Sequence, residues 1–276
     1  MMDKPKDVTG YTASRTERAE RVLLEVWSRL ADYHDHLVLV GGLVPRYLVS
    51  QHDEHIPRHC GTLDVDLAVS LAVSNVKAYS GIRQTLERIG LRPDTNDRGN
   101  ERRHSFVMES EGGSIVVDFL TTIYDGPRTV IRAIESQLSA IQAEGMGLAF
   151  KSPREITVEG KSLLGGIVAV KLRVCRPVPF IALKALAFNA RREGKDANDL
   201  VYMLRYADKG PALVAHQITG DEKRSSAFRH AIAVLESEFK SPAHDGPQRY
   251  ARFLRDESDA TVQAFAAVQE FLDELR

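Results

Sequence analysis

Apolar residues recur at helical spacing in SRTERAERVLLEVWSRLADYH (14–34), which predicts an amphipathic helix with Ser14 and Thr16 as candidate caps. HLVLVGG (36–42) reads as a short buried strand ending in two glycines, and LVPRYLVSQH (43–52) as the helix after it. DVDLAVS (64–70) predicts a second strand, and VSNVKAYSGIRQTLERIG (73–90) a second helical stretch. ERRHSFVMES and GSIVVDFLTT predict two strands joined by a turn at Glu111-Gly112-Gly113. PRTVIRAIESQLSAIQAEG (127–145) is ambiguous and is read as helix, and LAF, EITVEG and GIVAVKLRV as short strands. From Pro177 the pattern is nearly all helical, in PFIALKALAFNARREG, ANDLVYMLRYAD, RSSAFRHAIAVLESEF and ESDATVQAFAAVQEFLDELR. The expectation is an α+β fold, a mixed sheet packed by helices over residues 1–175, followed by a mostly helical domain over 176–276 that contributes to the active-site cleft.

Composition narrows the class. A formal charge of −1 over 276 residues gives no global basic field, so nucleic-acid binding would need a local patch. Two cysteines, Cys60 and Cys175, are too few for a disulfide framework and fit a reducing compartment. The first twenty residues lack the apolar core of a signal peptide, and no apolar run reaches membrane-spanning length. These features predict a soluble, cytoplasmic protein with no membrane partner.

Against that background, acids inside apolar strands stand out. In DVDLAVS, alternation puts Asp64 and Asp66 on one face and Val65 and Leu67 on the other. Two like charges on one face need a cation between them, whether Arg, Lys or a divalent metal. Asp118 in SIVVDFL is a third lone acid, and if the strands are neighbours the three carboxylates supply the oxygen ligands that Mg²⁺ favours. Gly41-Gly42, between strand and helix, offers backbone N–H groups to an anion, although Gly-Gly also marks ordinary turns. Lys184 is the single charge in an apolar helical segment, so it snorkels, finds an anion or titrates toward neutrality; Asp196 and Asp199 follow it, the first a candidate helix cap and the second a candidate surface acid. QHDEHIPRHC crowds His52, His55, His59 and Cys60; the types suit zinc, but the spacing matches no common structural site, and a polar loop is the simpler reading. Arg102, His104 and Phe106 are expected beside Asp118, with His104 a candidate base. No Walker-type loop, dinucleotide fingerprint or nucleophile elbow is present.

The order VLVGGLVPRYLV, TLDVDLAV, IVVDFL resembles the DNA-polymerase-β-type nucleotidyltransferase superfamily, and LKALAFNARREGKDANDLVYML resembles the lysine and Lys-Asp-x-x-Asp segment of AbiEii-like nucleotidyltransferases, a group that includes toxin–antitoxin and abortive-infection toxins. The resemblance covers residues 36–206. It implies that Gly41 and Gly42 cradle the phosphates of a nucleoside triphosphate, ATP among the candidates, and that Asp64, Asp66 and Asp118 hold two Mg²⁺ ions. It further implies that Lys184 neutralises the triphosphate and that Asp199 fixes the local geometry or the lysine, with Asp196 and Lys195 as weaker candidates of the same cluster. The chain is longer between Gly42 and Asp64 than the compact superfamily spacing. The excess, SQHDEHIPRHCG, reads as a loop insertion beside the site; it departs from the pattern that would make Arg58 and Thr62 nucleotide contacts, leaves both as candidates by position, and is itself a candidate for acceptor recognition.

The implied activity is transfer of an NMP from an NTP to an acceptor hydroxyl. tRNA is the favoured acceptor, and an antitoxin is the implied protein partner. Lys171, Arg173, Arg176, Arg191, Arg192 and Lys195 are candidates for an RNA-facing surface. Three other readings remain open from sequence: an antibiotic-modifying transferase, a protein-modifying one, and a nucleotide-binding module without activity.

Overall fold

The structure, a computed structural model, describes residues 5–50, 53–70, 81–109, 113–122, 131–135 (backbone), 138–256 and 259–276. Two units emerge. The first is built from Thr12–Val44 and Gly61–Cys175, the second from residues 5–11, Pro45–Cys60 and Arg176–Arg276. The stretch before the acid strand, assigned from sequence to the first domain, is therefore part of the second unit as far as Cys60.

The first unit opens with α1 (Ala13–Arg29). Its cap is Thr12, whose extended backbone frees the hydroxyl to accept from Arg15 N at 3.4 Å; Ser14 and Thr16 already lie within the helix. β1 (Leu37–Val40) runs through a 3₁₀ turn at Gly41–Leu43 into α2 (Val44–Leu48), far shorter than the helix expected. β2 (Asp64–Val69), α3 (Ile82–Arg88), β3 (Arg92–Thr95), β4 (Glu101–Met108) and β5 (Ile115–Thr122) follow. Residues 73–80 of the second expected helix, and Glu111 and Gly112 of the expected turn, lie outside the described residues.

The stretch read as helix at 127–145 is instead a hairpin of β6 (Ile131–Glu135) and β7 (Leu138–Ala143), and LAF lies in a 3₁₀ turn at Met146–Phe150. The cause is tertiary: β7 pairs in parallel with the C-terminal half of β5, Leu120 opposite Ile141, and this pairing overrides the helix preference of its Ala, Gln and Leu residues. β8 (Arg154–Lys161) and β9 (Ile167–Val174) complete a mixed sheet of nine strands among the described residues, ordered β3-β4-β5-β2-β1-β9-β8, with β7 on β5 and β6 on β7. Trp27 of α1 is fully buried and donates its indole N–H to the Lys171 carbonyl at 3.0 Å, tying the helix to β9. Phe106 and Phe119 meet edge-to-face at 6.1 Å, also fully buried.

The second unit is helical beyond Arg176: α4 (Pro177–Arg191), α5 (Gly194–Tyr206), α6 (Pro211–Ala215), α7 (Gly220–Arg224), α8 (Ser226–Glu238), α9 (Asp245–Leu254) and α10 (Ala260–Asp273). Pro177 and Pro179 suit the first turn of α4, where amide hydrogens have no helical acceptor. Phe180, Phe188, Leu200, Leu235, Phe239 and Phe271 form its core. No helix among the described residues is long and apolar enough to cross a membrane.

Phe119 holds β5 from the face opposite Asp118. Phe119→Ala should cost about 3–5 kcal/mol in urea unfolding, with the slope of the transition unchanged.

Candidate active site

Strands β2 and β5 run parallel side by side, with Asp66 opposite Asp118 and Asp64 opposite Val116. Residues directly opposite in a sheet share a face, so Asp64, Asp66 and Asp118 all point to one side. Val65, Leu67, Val117 and Phe119 fill the other side and are fully buried, which fixes both strands in register. Asp64 is 8% exposed, and Asp66 and Asp118 are half-buried. A one-residue slip would carry the acids into the core, so apolar packing on one face enforces their proximity on the other.

Antiparallel pairing sets Ser105 of β4 opposite Asp118. Ser105, not His104, therefore shares the acid face. Phe106, opposite Val117, projects to the reverse side, whereas Arg102 and His104 lie past the end of this ladder where the β3–β4 register breaks, so the expectation of a His104 base directly beside Asp118 is corrected: Ser105 takes that position. Burial and the nearby Arg102 lower the His104 pKa.

Gly41 explains why the step after β1 is glycine. Its φ is +72°, and a Cβ there would lie 1.8 Å from Asp66 Oδ2. No side chain fits while the carboxylate keeps its place. Thr62, at the entrance to β2, is buried; its hydroxyl accepts from Asp64 N at 3.3 Å and its backbone N–H donates to Thr16 Oγ1 at 3.2 Å.

A second constellation lies wholly within the second unit. Lys184 on α4 places Nζ 2.7 Å from Asp199 Oδ2 and 3.0 Å from Asp196 Oδ1, both on α5. It is a paired lysine, not a snorkelling one. Lys195 binds Asp199 Oδ1, and Arg191 grips Asp196 through Nε at 2.5 Å and Nη2 at 2.7 Å. Burial alone would push both carboxylates up; Lys184 with Lys195 and His59 holds Asp199 well below the usual range, and Lys184 with Arg191 holds Asp196 below it. Burial likewise opposes the Lys184 charge, but Asp199 and Asp196 outweigh it and raise its pKa.

His59 was read as part of a polar loop or zinc set, and the structure gives it another place. Its side chain is 0% exposed and its Nε2 lies 2.9 Å from Asp199 Oδ1. Burial, joined by the charge of Lys195, lowers its pKa to about 4, so the ring is neutral at physiological pH. Cys60 accepts from Asn198 Nδ2 at 3.3 Å, and burial raises its thiol pKa. His52 lies outside the described residues, and His55 sits in the exposed part of the loop. His59, Cys60 and Asp199 each present a donor atom within 4.8 Å of the others, but both oxygens of Asp199 already carry an ammonium that a metal would have to displace.

The six cations proposed for an RNA-facing surface are each engaged within the chain. Lys171 pairs with Glu155, Arg173 donates to the carbonyls of His34 and Asp35, and Arg176 reaches the buried Glu222 at 2.5 Å. Arg192 pairs with Glu238, while Arg191 and Lys195 serve the Asp196 and Asp199 cluster.

Comparison with known proteins gives these features a class. A family model described as nucleotidyl transferase AbiEii toxin, type IV toxin–antitoxin system, matches residues 23–274, and the protein is a nucleotidyltransferase. It belongs to the AbiEii family of toxins. Among solved structures, the cyclic dinucleotide synthase CdnE of Elizabethkingia meningoseptica, with GTP and Apcpp, aligns over 92% of each chain at 9% identity and a TM-score of 0.24, a likeness too distant to add to the assignment. No curated protein matches the chain.

Two measurements check this geometry. Gly41→Ala should lose about 2 kcal/mol or more in stability, from backbone strain and the clash with Asp66, and should abolish transfer. His59 takes up a proton near pH 6.5 when unfolded but only near 4 when folded, so stability should fall as pH drops through that window, by about 3 kcal/mol in all. Asp196 and Asp199 act in the same direction but only below the ordinary carboxylate range, so melting curves of His59→Gln should be flatter than wild type between pH 6.5 and 4.

Proposed function

We propose that the protein transfers an NMP from a nucleoside triphosphate to an acceptor hydroxyl, with tRNA as acceptor, acting in the cytoplasm as the toxin of a toxin–antitoxin pair. The observation that carries the chemistry is the register of β2 on β5, which sets Asp66 against Asp118 with Asp64 one pleat away on the same face. Three carboxylates on one face, with a glycine turn held open beside one of them, fit the oxygen ligation of Mg²⁺. Asp64 and Asp66 are assigned to hold the ions and Asp118 to complete the site. Bound there, Mg²⁺ supplies charge for the α-phosphate and the departing pyrophosphate and lowers the pKa of the acceptor hydroxyl.

The chain's own part is binding and placement. Gly41 and Gly42 present backbone N–H groups to the phosphates, and Lys184 is assigned to the charge of the triphosphate. The acceptor oxygen forms its bond to the α-phosphorus as the bond to the β-phosphate oxygen breaks, and Asp118 helps take the hydroxyl proton. Most of the acceleration comes from positioning and charge compensation. The Lys184 assignment rests on motif order, and the tRNA assignment on the family; the cations nominated for RNA are occupied, so an RNA surface has to come from other residues or from re-paired ones.

Incubation with Mg²⁺, total tRNA and each α-³²P-labelled NTP in turn, resolved on a denaturing gel, tests the proposal. Wild-type protein should label tRNA; Asp66→Ala, and wild type with EDTA, should fall at least about 10³-fold. Wild-type rates in Asp66→Ala would overturn the metal assignment. Label on protein or on an aminoglycoside in place of tRNA would retain the chemistry and replace the acceptor.

A further inference from the structure

The stretch 53–60 lies between the glycine turn and the acid strand in sequence, yet its last residues pack on α5 in the second unit. Three residues of α5 grasp it. Tyr202 donates its hydroxyl to the Pro57 carbonyl at 2.8 Å, and its ring meets His59 edge-on at 4.8 Å. Asn198 donates to Cys60 Sγ, and between them Asp199 takes the imidazole at 2.9 Å. Positions 198, 199 and 202 lie on adjoining faces of one helical turn, so the grip is continuous.

The chemistry of the third partner on Asp199 is informative. Lys184 and Lys195 already bring two positive charges to it, and with Arg191 against Asp196 the cluster holds three cations to two anions. A neutral imidazole can bond to the carboxylate only by donating, so its proton sits on Nε2. This donor pins Asp199 without bringing a further charge that would compete for the carboxylate. Asp199 in turn holds Lys184 at 2.7 Å, and Lys184 is the group assigned to the triphosphate.

We propose that His59 is a positioning residue for nucleotide binding: as a neutral hydrogen-bond donor it fixes Asp199, and through Asp199 the ammonium of Lys184. This rests on the assignment of Lys184 to the triphosphate made above. The stretch read as a loop for acceptor recognition then has a different duty over residues 57–60, that of a clamp on the lysine's counter-ion.

Equilibrium dialysis of the full chain with each α-³²P-labelled NTP, in Ca²⁺ so that binding is read without turnover, tests it. His59→Leu should weaken the tightest NTP about tenfold, whereas His59→Gln, which keeps a donor near the Nε2 position, should stay within about twofold of wild type. Lys184→Met should weaken binding at least as much as His59→Leu, and the double variant should be no weaker than Lys184→Met. Wild-type affinity in His59→Leu, beside a loss in Lys184→Met, would overturn the role of His59 and leave that of Lys184. An equal further loss when His59→Leu is added to Lys184→Met would also overturn it, because the histidine would then act independently of the lysine. Wild-type affinity in Lys184→Met would remove the lysine's assignment and this inference together, and the transfer assay with Asp66→Ala would still judge the metal site. If His59→Leu melts below the assay temperature, Tyr202→Phe, which keeps the ring and releases Pro57, takes its place; about threefold weaker binding supports the clamp, and unchanged binding overturns it.

Discussion

A carboxylate taken out of water has to be answered by positive charge or hydrogen bonds, and the packing of α4 against α5 is organised around that requirement. Asp196 and Asp199 are both fully buried, one helical turn apart, and Lys184 reaches both of them from the facing helix, with Arg191 on the first and Lys195 and His59 on the second completing their partners. The lysine in turn could not keep its charge in an apolar helix without the two acids. Each partner's burial is conditional on the other's, so charge constrains how the two helices meet. Such a network stabilises little over an apolar alternative, but breaking it is expensive, and that asymmetry fixes one arrangement.

The first unit solves a related problem with the sheet. Its acids share a face because of what lies beneath them: burying Val65, Leu67, Val117 and Phe119 on one side excludes any one-residue slip, and in the register observed Asp66 stands opposite Asp118. The glycine turn is part of the same constraint, because the Asp66 carboxylate occupies the space that any side chain at position 41 would need. Hydrophobic registry and steric exclusion thus place polar groups that have little means of placing themselves.

Much of this was legible in the chain. A lone acid in an apolar strand is conspicuous, and alternation gave the shared face of Asp64 and Asp66; the glycine pair and the apolar setting of Lys184 were equally visible. What escaped was whatever depended on distant partners. The face of His104 turns on the register of β4 against β5, and no local pattern states which of two neighbouring residues will sit opposite Asp118. The β6–β7 hairpin was hidden because its residues suit a helix until β5 offers an edge. The five-residue helices α6 and α7 carry too few periods to register in the pattern. His59 was noticed for the wrong reason: sequence shows its crowding with His55 and Cys60, whereas its partner lies 140 residues away.

The threading of Pro45–Cys60 into the second unit bears on how such proteins can be inherited and rearranged. A boundary at Cys175 looks like a natural seam, with sheet before it and helices after it. Yet a helical segment beginning at Arg176 would bring Asp199 and its two lysines without the imidazole, and would leave Tyr202 and Asn198 facing solvent where Pro57 and Cys60 belong. Recombination at that seam would join halves whose buried contacts come from different ancestors. The chain is therefore one genetic unit even though it is two structural ones, and its helical half is free to diverge only in step with a short stretch encoded more than a hundred codons upstream.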